Sequence, residues 1–166
     1  MIRNAFIIVA MFAAASTGIE ALAQTGDAYE SGHGALQVFD GTGMGAMPLW
    51  VKAWLGILVL TFASSLFFVW RHLEARLALA GFLLSILATA FIFSALSLPF
   101  LSGSIAIGHI LFWTPALIVL LMRRPFLDAS QGRWFRIWSG MMTAVIVFSF
   151  IFDIRDAVTY IMHVAA

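Results

Sequence analysis

Cysteine is absent from the 166-residue chain, which excludes disulfides, thiolate metal sites, cysteine nucleophiles and lipid anchors attached through sulfur. Charge is scarce too, at 10% Asp, Glu, Lys and Arg against about 25% in a soluble protein. With so little polar surface the chain cannot coat a water-soluble globule. Nine Lys and Arg against eight Asp and Glu leave a net charge of +1, far from the basic face a nucleic-acid binder needs. Glycine-rich phosphate loops, G-x-S-x-G and H-E-x-x-H are all missing, so no familiar catalytic motif is written in the chain. What is present is apolar: 63% hydrophobic residues, sixteen of them Phe, and a mean hydropathy of +1.02.

Residues Met1 to Ala23 have the three parts of a secretory signal: a cation at Arg3, an apolar run from Ala5 to Ala15, and the small-residue ending Ala21-Leu22-Ala23 before Gln24. Cleavage is expected after Ala23. As a helix the apolar run would reach only about 16 Å, half a bilayer core, so a retained fifth span is the weaker alternative. Residues 24–47 are rich in glycine, carry Asp27, Glu30 and Asp40, and hold no Lys or Arg. They are expected to form a flexible extracytoplasmic leader.

The remainder, 48–166, predicts an all-α membrane domain of four transmembrane helices arranged as two antiparallel hairpins. The first span, about 50–70, is uncharged from Ala53 to Trp70 between Lys52 and Arg71. From Leu77 to Met122 no Asp, Glu, Lys or Arg occurs. A single helix of that length would measure about 69 Å, twice the membrane, so it must fold back. Pro99 and Gly103 mark the turn, giving spans of about 77–98 and 104–122. The fourth span runs over about 134–153, followed by an amphipathic tail, 154–166. Pro115 cannot donate to the Leu111 carbonyl and predicts a kink in the third span.

Six of the cations that remain after the signal (Arg71, Arg76, Arg123, Arg124, Arg133, Arg136) fall in two short loops, and only Lys52 and Arg155 lie on the opposite side. Those loops are expected to face the cytoplasm, with both mature termini outside, in the inner membrane if the source is bacterial. Small residues at Gly56, at Gly81, Ser85 and Thr89, and at Gly140 and Ala144 are expected to let helices approach.

Few polar groups remain as functional candidates. His109 lies about five residues into the third span. Asp153 and Asp156 close the fourth span at a similar depth, and on a helix they share one side with Tyr160 and His163. With Lys52 or Arg155 as counter-charge, these form a candidate ion or proton site at the outer mouth. A neutral His109 serving as a hydrogen-bonded link between helices is the simpler alternative. No metal site and no cofactor are expected: His33, His72, His109 and His163 do not share a depth on facing helices, and the outer Met and His residues lack compact ligand spacing. The leading functional expectation is a non-enzymatic accessory, assembly or scaffold subunit that packs in the lipid bilayer against other membrane-protein subunits or itself. The alternative is a small homo-oligomeric channel or transporter handling protons or cations.

Overall fold

A computed structural model describes residues 34–38 and 48–166. The signal segment, with Ala21, Ala23 and Gln24, and most of the leader lie outside the described residues. Four helices follow one another: α1 (Leu49–Ser64), α2 (Leu73–Ala95), α3 (Ser102–Arg123) and α4 (Arg133–Ala165). All four are long and apolar enough to cross a membrane once the 3-10 turn Ser65–Phe67 is counted with α1. The chain is therefore a multi-pass membrane protein, all-helical among the described residues.

Local chemistry sets the boundaries. Near its end α1 carries Thr61 and Ser64, whose hydroxyls donate to the Ile57 and Thr61 carbonyls at 2.7 and 2.6 Å. Such bonds compete with the helical ladder, and α1 tightens into its 3-10 turn there. The exit of α2 is closed by Ser97 in the left-handed region (φ 54), with the Leu98 amide returning to the Phe93 carbonyl at 3.0 Å. Glycine usually occupies that position. Arg124 (φ 47) does the same after α3. The start of α3 is fixed by Ser104, whose hydroxyl donates to the Leu101 carbonyl at 2.6 Å and accepts from the Leu101 amide at 3.1 Å. The break expected around Pro99 and Gly103 falls between the end of α2 at Ala95 and the start of α3 at Ser102. Pro115 lies inside α3, and no break in the helix accompanies it.

Packing centres on α3. Gly81 of α2 meets the backbone of α3 so closely that a Cβ there would collide with the Phe112 carbonyl oxygen. One and two turns further along α2, Ser85 bonds Trp113 and Thr89 fills the space over Gly108. Gly81, Ser85 and Thr89 thus mark the face of α2 that packs on α3. The core between the helices is built from Phe62, Phe82, Trp113, Leu120, Met142 and Ile146, all 7% exposed or less. Phe62 stacks between Phe82 and Trp113 with ring centroids 5.0 and 4.6 Å away. By contrast α1 is held loosely, burying only Leu58, Thr61 and Phe62.

The structure changes three expectations. Gly56 faces open space and packs against nothing among the described residues. On α4 the row Gly140 and Ala144 also points away from the core: Ala144 is exposed, and Gly140 meets only the Phe126 side chain at van der Waals distance. The core-facing row is Ser139, Met142, Ile146 and Ser149, because its larger apolar members fill the centre. Finally, α4 runs unbroken for 33 residues, and its end is turned opposite to a solvated amphipathic tail. Ala157 and Tyr160 are buried, whereas Ile154, Val158, Ile161 and Met162 are more than half exposed. Asp153 and Tyr160 find partners inside the protein, and the aliphatic side is left for lipid.

Candidate functional site

Two pairs of ionisable side chains sit at opposite ends of the apolar core. On the side of the α2–α3 turn, His109 Nδ1 lies 3.3 Å from Asp153 Oδ1 and 3.3 Å from Oδ2. Both side chains are mostly buried, at 21% and 15% exposure. The separation exceeds the roughly 2.7–2.9 Å of a tight charge-assisted bond. Asp153 Oδ2 is shielded from solvent and has no hydrogen bond of its own among the described residues. His109 is seven residues from the start of α3, so the pair lies about 10 Å along the axis from that helix end, inside a helix long and apolar enough to cross a membrane.

The His109 ring also stacks on Trp113, centroids 3.9 Å apart and nearly parallel. Trp113 is fully buried; its indole N–H donates to Ser85 Oγ at 3.1 Å, and the Ser85 hydroxyl donates to the Phe82 carbonyl at 2.8 Å. A polar thread therefore runs from Asp153 on α4 through His109 and Trp113 on α3 to Ser85 on α2. It ends in a backbone carbonyl. Thr89 and Ser149, each one helical turn from a member of the thread, hold buried hydroxyls without hydrogen-bond partners among the described residues.

Above the pair, part of the leader is docked. Residues 34–38 lie against the start of α3: Val38 forms an antiparallel bridge with Leu101. The Ser102 and Gly103 amides donate to the Gln37 and Ala35 carbonyls at 2.9 and 2.7 Å. A free helix N-terminus leaves such donors unmet, which explains why this segment, itself a turn closed by the Gln37 amide donating to the Gly34 carbonyl at 3.1 Å, settles there. Gly103 is the junction, since a Cβ on it would press on Tyr160 Cβ, the Asp156 carbonyl and the Ala35 carbonyl. Tyr160 closes the assembly by donating its hydroxyl to the Pro99 carbonyl at 2.7 Å and packing edge-on to Phe93.

Of the site residues expected from sequence, His109 and Asp153 are brought together. Asp156 is half-buried one turn further along, its carbonyl at Gly103. Arg155 points out of the bundle, and Lys52 is exposed in the first turn of α1. Sequence reasoning missed Gly108, although Ser104 and Gly108 have the four-residue spacing of a packing row. It also missed Glu74. This carboxylate lies at the opposite end of the core, 4% exposed and 3.4 Å from the Arg123 guanidinium. Its place between Arg71 and Arg76 suggested a solvated loop, and only the return of α3 to the same level buries it. Beside it His72 stacks on Phe135, centroids 3.4 Å apart. Burial holds the His72 pKa below its ordinary 6.5, with Glu74 opposing that shift and Arg71 adding to it.

Among the described residues no group of three or more His, Cys, Asp or Glu is arranged to hold a metal ion. Compared with known proteins, the chain matches no protein-family model, no curated protein and no solved structure.

Proposed function

We propose that this protein is a non-enzymatic accessory, assembly or scaffold subunit that packs against another membrane protein within the bilayer. The observation that supports this reading best is the sealed middle of the bundle. Between the His109–Asp153 pair and the Glu74–Arg123 pair stands the layer of Phe62, Phe82, Trp113, Leu120, Met142 and Ile146, with no residue above 7% exposure. His109 and Arg123 are fourteen residues apart on α3, about 21 Å, and the polar thread between them ends at the Phe82 carbonyl. An ion or proton entering at Asp153 meets a dry aromatic core, whose desolvation penalty opposes passage. A subunit role also suits α1, which is weakly attached and leaves Gly56, Ile57 and Leu60 facing outward. The setting we propose is a cleaved signal, two hairpins, both mature termini outside the cytoplasm, and the inner membrane if the source is bacterial.

The test is gentle solubilisation through a C-terminal tag, followed by the mass of the intact complex and of the released chain. Stoichiometric co-purification with different proteins is the expected result, with the released chain beginning at Gln24. A ring of identical chains with nothing else bound would refute it. A second reading, a small homo-oligomeric channel or transporter, draws on the location of His109 and Asp153 within the hydrocarbon, where ionisable groups often line ion paths. Proton or cation flux into liposomes that disappears in Asp153→Asn and His109→Asn would favour that reading over the first.

A further inference from the structure

The six arginines at the Glu74 end are not equivalent. Arg123 is engaged by Glu74. Arg76 donates to the Val69 and Trp70 carbonyls at 2.7 and 3.3 Å, and Arg124 donates to the Leu121 carbonyl at 3.2 Å. Arg136 lies in the field of Asp128. Arg71 and Arg133 remain, both exposed, with no side-chain hydrogen bond or ion pair among the described residues. The local acids are already committed: Glu74 is buried, and Asp128 accepts from the Ser130 amide and hydroxyl and from Gln131.

The fold brings together the two chain segments that carry these arginines. Arg71 precedes His72, Arg133 comes two residues before Phe135, and the His72–Phe135 stack brings the two segments into contact. Each arginine has an exposed tryptophan as its chain neighbour, Trp70 at 83% and Trp134 at 74%. Tryptophan prefers the level where acyl chains meet headgroups, and the planar fork of arginine matches the oxygens of a phosphate. We propose that the rim formed by Trp70–Arg71 and Arg133–Trp134 binds the phosphate of an anionic phospholipid headgroup. The guanidiniums hold the phosphate while the two indoles lie against the glycerol and upper acyl chain. A free phosphate would use only the first of these contacts. The same end of the bundle presents Phe67, Met122 and Leu127, exposed at 66% or more, which favours an acyl-bearing ligand further.

Native mass spectrometry of the intact full-length protein, released from detergent after incubation with phosphatidylglycerol or phosphatidylcholine, counts the lipids retained. Phosphatidylglycerol is expected to stay bound and phosphatidylcholine to be lost. The double variant Arg71→Gln/Arg133→Gln should weaken phosphatidylglycerol retention by roughly thirtyfold, taking about fivefold for each interfacial arginine. Arg155→Gln, at the other end of the bundle, should retain it as the wild type does. Equal retention of the two lipids by the wild type would overturn the proposal without reference to any variant. So would undiminished retention in the folded double variant, or full displacement of the lipid by an equal concentration of inorganic phosphate.

Discussion

Gly81 and Gly56 occupy similar sequence surroundings and opposite physical ones. A methyl group at Gly81 would enter the Phe112 carbonyl, so Gly81→Ala must push α2 off α3 at a cost of about 1–3 kcal/mol. Nothing lies within 4 Å of the corresponding position at Gly56, and Gly56→Ala should leave the isolated protein unchanged or more stable by about 0.5 kcal/mol. Unfolding in mild detergent would check both; equal effects at the two sites would contradict the packing described. His72 supplies a pH-dependent counterpart. Its folded-state pKa lies below the ordinary 6.5 because burial disfavours the imidazolium, so the unfolded chain takes up the proton first. Stability is therefore complete above about pH 6.5 and declines as pH falls from there toward the folded-state value. His72→Gln should flatten that decline, as measured by unfolding between neutral and mildly acid pH. At this scale the sequence was only partly legible. His109 and Asp153 could be paired by depth alone, because each is a rare ionisable group in an apolar run. Gly56 and Gly81 could not be told apart, since spacing is the same whether a glycine faces a neighbouring helix or lipid.

Elements were easier to read than faces. The four spans follow from unbroken apolar length between charges, and the turn between α2 and α3 from Pro99 and Gly103. The orientation of each helix about its own axis was harder, because nearly every face is apolar and hydrophobicity ceases to distinguish inside from outside. The end of α4 illustrates this. In water its aliphatic side would turn inward, whereas in this protein the side carrying Tyr160 does so, drawn by the Pro99 carbonyl and the close approach at Gly103. Tyr160→Phe removes one buried hydrogen bond and should cost about 1 kcal/mol, measurable as a lowered unfolding midpoint. The docked turn 34–38 escaped sequence reasoning altogether, since its binding depends on two unmet amides presented by a distant helix. Deleting residues 34–38 should expose the Ser102 and Gly103 amides and speed their hydrogen exchange, while amides in the middle of α3 remain protected. Unchanged exchange at both positions would show that the docked turn does not cover them.

For the molecule as a whole, the sealed core makes a further prediction: the purified protein alone in liposomes should leave proton and potassium permeability at the level of empty vesicles. A flux well above that level, abolished by Asp153→Asn, would contradict the subunit reading. Helix length adds a different dependence. The exposed aliphatic side of α4 continues from Ile137 to Met162, about 38 Å along the axis, interrupted by Arg155, whose long side chain can reach upward to the headgroups. The hydrocarbon of an average bilayer is about 30 Å thick. The helix must lean, or the surrounding lipid must stretch to meet it. Bilayer thickness thus becomes a control variable for this protein: in short-chain lipids α4 should tilt against α3 and load the contacts at Gly103. In long-chain lipids it should stand more upright, so membranes of different acyl length select among geometries of the same four helices.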